Sequence, residues 1–214
     1  VISSTSPVRG GGIYNAGVLS LTQSAVLSNS SGAIGGGILS SGVLTLTEST
    51  VAGNMSPLTG SGFGGGLNLA GGSATLQRTA IYNNQASFGA GVFIASGALA
   101  ALNTTLSSNL VSGSGGGLYV MAAGSADLRF VTIANNTIAN NSATAGGSVA
   151  NYSTNVRLLA SILAVTAGRA NCSGGAQRLI SSGSPSFSSV FPSPPAVRRL
   201  AVRPGLSCIQ LERL

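Results

Sequence analysis

The chain has 214 residues, of which only 6% are charged and 43% hydrophobic, with no histidine and three carboxylates. Disordered chains are poor in apolar residues and rich in net charge, so this composition describes a folded chain, long enough for one elongated domain. The net charge of +7 is concentrated late in the chain, at Arg169, Arg178, Arg198, Arg199, Arg203 and Arg213. The body carries only Arg9, Arg78, Arg129 and Arg157 against Glu48 and Asp127. Nucleic-acid binders cluster basic residues with stacking aromatics, and the body has no such cluster.

In chain order, glycine clusters open at Gly10, Gly35, Gly64, Gly89, Gly115 and Gly146, in steps of 25, 29, 25, 26 and 31 residues. A period of this length marks a repeat architecture, in which each unit buries its apolar face only against the next. Val1 falls inside a coil, because Gly10 already opens the next one, so the chain reads as a fragment. No signal peptide is visible, and no run of about 20 apolar residues is present to form a transmembrane helix.

The first unit places apolar residues at Ile13, Leu19, Leu21 and Val26, and the second at Ile38, Leu44, Leu46 and Val51. The third gives Leu67, Ala74, Leu76 and Ile81. The fourth gives Val92, Leu99, Ala101 and Leu106. The fifth gives Leu118, Ala126, Leu128 and Ile133, and the sixth Val149, Val156, Leu158 and Leu163. The Leu-x-Leu spacing of two is strand periodicity, and no window sustains a helical pattern. Each unit therefore reads as about three short strands. Gly17 and Gly42 stand between the first and second strands, where a positive φ is expected. The third strand ends at Asn29, Asn54, Asn84, Asn109 and Asn136, each three residues after its apolar residue. Asparagine tolerates the left-handed region, and stacked carboxamides can hydrogen-bond from coil to coil. Thr166 takes this place in the sixth unit, so the ladder is expected to stop there.

Strands stacked at about 4.8 Å give an all-β, parallel β-helix of about six coils over residues 1–168, followed by an irregular Pro/Arg/Ser-rich tail over 169–214. Parallel crossovers are right-handed in nearly all cases, so a right-handed solenoid is expected. Propeller blades need about 40 residues each, more than these units supply.

The Gly-Gly-Gly-Ile start, the Leu-x-Leu pair and the terminal Asn together resemble bacterial right-handed β-helix surface proteins over about residues 8–168. These include polymorphic outer-membrane proteins and pectate-lyase-like secreted repeat proteins. The resemblance implies an extracellular or cell-surface location in a bacterium. In such proteins a Cys-Ser-Gly segment follows the last coil and a second Cys comes later. Asn171-Cys172-Ser173-Gly174 and Cys208 are similar, which implies a disulfide between Cys172 and Cys208. The alternative is two unpaired small apolar residues in a tail.

Catalytic residues are scarce. Glycoside hydrolysis usually needs two carboxylates flanking one bond, whereas Glu48 and Asp127 lie three coils apart, about 14 Å by the stacking distance. Neither a Ca²⁺ carboxylate cluster nor a Zn or His-dependent nucleophile system can be assembled. The expectation is no enzyme and no cofactor. Tyr14 and Tyr119 share one offset, but Leu39, Asn68 and Phe93 interrupt it, so no continuous aromatic stripe is expected. Thr45 and Thr75 face outward in adjacent coils, but Ser20, Ala100 and Asp127 break that array. The expected function is a non-catalytic, adhesin- or passenger-like module, or a spacer. It would present a Ser/Thr/Asn-rich surface to a polysaccharide or a host or matrix protein. The alternative is a polysaccharide-binding or -degrading β-helix.

Overall fold

A computed structural model describes residues 3–138, 147–163, 172–173, 179–181 and 209–211. These residues form an all-β parallel solenoid of about six turns. The first strand of each coil runs over Ile13–Asn15, Ile38–Ser40, Leu67–Leu69 and Val149–Asn151. In the fourth and fifth coils it continues into the second strand as Val92–Leu102 and Leu118–Arg129. Elsewhere the second strand is separate, at Val18–Thr22, Val43–Thr47, Ser73–Gln77 and Val156–Leu159. First and second strands belong to one large parallel sheet. Third strands, from Ala25–Leu27 to Ile162–Leu163, form a six-stranded sheet of their own. A short fourth segment, not evident from the sequence, pairs Gln85–Phe88 with Leu110–Ser114, and Thr5–Ser6 with Ser30–Ser31.

The register stacks like on like. Leu19, Leu44, Ala74, Leu99, Ala126 and Val156 form one file, and Leu21, Leu46, Leu76, Ala101, Leu128 and Leu158 the next. A third file holds Val26, Val51, Ile81, Leu106, Ile133 and Leu163. With Ile38, Leu67, Val92 and Leu118 they form one continuous buried core. Ile13, Leu19 and Leu21 are only partly buried, packed against the core from the first coil. Leu69, Ile94 and Val120, the last residues of their first-strand positions, add a buried file that the strand pattern alone did not identify.

The five asparagines are buried and hydrogen-bonded in sequence along the axis. Asn54 donates its backbone N–H (2.9 Å) and its Nδ2 (3.0 Å) to Asn84 Oδ1. Asn84 donates both groups to Asn109 in the same way, and Asn109 to Asn136. The second Nδ2 hydrogen reaches back one coil, from Asn84 to the Val51 carbonyl at 3.0 Å. These asparagines are not the left-handed residues. Positive φ falls one position earlier, at Ser28, Gly53, Asn83, Ser108 and Asn135, all exposed. The carboxamide is held inward as a rung, so the solvent-side neighbour absorbs the turn.

A second polar file, Ser49, Thr79 and Thr104, is buried before the third strand. Its hydroxyls bond nearby carbonyls, as Thr79 Oγ1 does to Leu46 O of the preceding coil at 3.2 Å and to Gln77 O two residues before it at 3.1 Å. Again the preceding residue is left-handed, at Glu48, Arg78 and Asn103. Neither Gly17 nor Gly42 has the expected positive φ. Gly42 is required for space instead, since a Cβ there would collide with the Gly17 carbonyl.

Beyond residue 168, Cys172–Ser173 pairs in parallel with Val149–Ala150, and Leu179–Ser181 with Val156–Leu158. Ile209–Leu211 pairs with Leu179–Ser181. Thr166, Cys208 and most of the tail lie outside the described residues, and with them the Cys172–Cys208 pairing.

Candidate binding site

The glycine that opens the cluster turns the chain by a left-handed step in the first five units, Gly10 included. Gly35, Gly64, Gly89 and Gly115 have φ of 65°, 66°, 57° and 69°. A Cβ on Gly89 would lie 2.7 Å from Val92 O and 2.8 Å from Phe93 Cβ. The chain therefore turns a tight corner there, with no room for a side chain on the glycine. The residue before the glycine and the residue four after it face each other across it. One flank is the file Arg9, Ile34, Phe63, Phe88 and Ser114. The other is Tyr14, Leu39, Asn68, Phe93, Tyr119 and Ala150.

Five aromatics meet here. Phe63 lies 5.7 Å from Phe88, with rings stacked, and 4.7 Å from Phe93. Phe93 stacks on Tyr119 at 5.0 Å, Phe88 meets the edge of Tyr119 at 5.8 Å, and Tyr119 reaches Tyr152 at 5.3 Å. Such pairs add about 0.5–1.5 kcal/mol each beyond burial. Burial and the neighbouring Tyr152 push the Tyr119 phenol up to about 12.

The aromatic run is interrupted at Asn68, and Ala70 and Ala95 are small. The result is an open cleft of about 350 Å³, lined by Phe63, Phe88, Phe93, Tyr119 and Met121 around Asn68, with Ile34 at one end. Ligand pockets span roughly 300–1,000 Å³, so this one is at the small end. Asn68 is buried, and its Nδ2 donates to Phe63 O at 3.2 Å.

The sequence pattern alone gave Tyr14 and Tyr119 at one offset and stopped there. Tyr14 is 63% exposed and stands outside the cluster. The missing partners, Phe63 and Phe88, belong to a different file. Their signal was an aromatic directly before the opening glycine in two consecutive units.

The two carboxylates that the sequence places three coils apart are each paired with an arginine. Glu48 Oε1 pairs with Arg78 at 2.7 Å and Glu48 Oε2 accepts from Gln23 at 3.0 Å. The Gln23 hydrogen bond and then Arg78 hold the Glu48 carboxyl below the usual range. Asp127 pairs with Arg129 at 2.8 Å, and that hydrogen bond lowers its carboxyl likewise. Neither lines the cleft. Among the described residues, no group of His, Cys, Asp and Glu is arranged to hold a metal ion. No helix among them is long and apolar enough to cross a membrane.

Comparison with protein-family models, with curated proteins and with solved structures found no match.

Proposed function

We propose that the chain is a non-catalytic binding module of an extracellular or cell-surface protein, engaging its ligand through the aromatic corner of the third to fifth coils. The observation that supports this reading most directly is the cleft itself. A structural spacer has no need of Phe63, Phe88 and Met121 on its outer face, where apolar surface costs solubility. Rings grouped around a notch are what ligand sites are made of. The ladder-held scaffold would keep the cleft preformed, which lowers the entropic cost of binding. Glu48 and Asp127 are each paired with an arginine and neither lines the cleft, which favours binding over hydrolysis at this site.

The test is retention of the full chain on immobilised polysaccharides and matrix proteins, scored together with released reducing ends. The expected result is retention without release, lost in Ala95→Leu, which fills the cleft. Release of sugar ends would overturn the non-catalytic reading. Retention unaffected by Ala95→Leu would move the binding site elsewhere on the solenoid.

A further inference from the structure

The chemistry of the cleft narrows what it can hold. Eight of its nine lining residues are apolar or aromatic, and the ninth is Asn68. No charged side chain lines it, so a charged ligand group would lose hydration without gaining a partner. The buried Asn68 carboxamide uses Nδ2 on the Phe63 carbonyl, while its Oδ1 accepts no hydrogen bond from the described residues. An open acceptor in a notch lined otherwise by apolar side chains and the Tyr119 phenol matches one donor on an otherwise apolar body.

Resting on the binding-module reading above, we propose that the cleft receives an uncharged aromatic ring bearing one N–H or O–H, the indole of a tryptophan or the phenol of a tyrosine on a protein partner, with the donor on Asn68 Oδ1. The cleft, about 350 Å³, has room for a ring system of this size and is at the small end for ligand pockets. A pyranose would bring several hydroxyls to a lining whose side-chain polar groups are Asn68 and the Tyr119 phenol, so further hydroxyls turned inward would lose hydration without partners. The open side leaves room for the backbone from which a side chain projects. The partly exposed Phe63, packed 4.7 Å from the buried Phe93, supplies ring surface for the incoming ring, and the half-exposed Met121 can adapt to its edge.

The chain contains no tryptophan, so indole emission reports a probe alone. The full chain is titrated into an end-blocked Gly-Trp-Gly peptide, with end-blocked Gly-Tyr-Gly and Gly-Phe-Gly as competitors. A saturable blue shift is expected. Gly-Tyr-Gly should compete, and Gly-Phe-Gly, lacking the donor, should compete about five-fold more weakly, the value of one net hydrogen bond. Asn68→Leu should abolish that preference for a donor. Ala70→Leu, at an exposed position, and Ala95→Leu should each remove the shift while leaving the melting temperature nearly unchanged. No saturable shift with the unaltered chain, or a shift that survives both leucine variants, overturns the proposal. If Ala70→Leu abolishes retention on a polysaccharide while Gly-Trp-Gly emission never moves, the ligand class is wrong and the binding module stands. If neither assay responds, both readings fall.

Discussion

At the residue scale the asparagine file illustrates how a buried polar group becomes structural. The Asn84 side chain makes four hydrogen bonds: two accepted from Asn54, one donated to Val51 O and one to Asn109 Oδ1. Each spends a donor or acceptor that a neighbouring coil presents, so deletion orphans groups on both sides. Asn84→Ala should cost on the order of 3 kcal/mol, read by chemical denaturation. A cost below about 0.5 kcal/mol would show that the ladder is passive. The sequence located these five residues because their offset from the last apolar residue is constant. It misplaced the strained backbone by one position, because φ is set by which side of the turn the side chain occupies.

At the scale of the element, the opening glycine and the glycine between strands look alike in sequence and differ in the fold. Gly89 has φ of 57° and lies against Val92 O and Phe93 Cβ. Gly17 has no positive φ, and a Cβ there would meet open space. Gly89→Ala should therefore destabilise by about 1–3 kcal/mol and disturb the cleft beside it. Gly17→Ala should be neutral, or stabilising by up to about 1 kcal/mol through the unfolded state. Thermal melting of the two variants decides it. Equal losses would mean that the left-handed corner is not what the glycine supplies. The same corner explains why a two-file aromatic cluster was missed. Strand periodicity predicts which residues point inward, whereas the corner determines which outward residues converge.

For the whole molecule, scarcity of titratable groups sets the response to pH. The Glu48 and Asp127 carboxyls are held below their ordinary values of 4.5 and 3.8. Their contribution is present above the carboxylate range and is lost as pH falls through their lowered folded values. Tyr119 is raised from 10.0 to about 12, so its contribution is complete below 10 and lost as pH rises toward 12. With no histidine, the melting temperature should be flat from about pH 5 to about pH 8. Tyr119→Phe should remove part of the alkaline decline. A step in the neutral range, or an alkaline limb unchanged in Tyr119→Phe, would contradict this assignment.

The sequence by itself determined the solenoid: its period, the parallel like-on-like register of Leu44, Leu46 and Val51 with their counterparts, and the asparagine file. A repeat writes each of these contacts as the same offset in every unit, so local pattern and long-range contact carry the same information. Only the tertiary structure decided the cleft. Phe63 and Phe88 share one offset and Asn68 and Tyr119 another, and nothing in either periodicity says that the two files meet. They converge because the chain turns through left-handed glycines between the two files, and that turn is a property of the chain path that strand periodicity does not express.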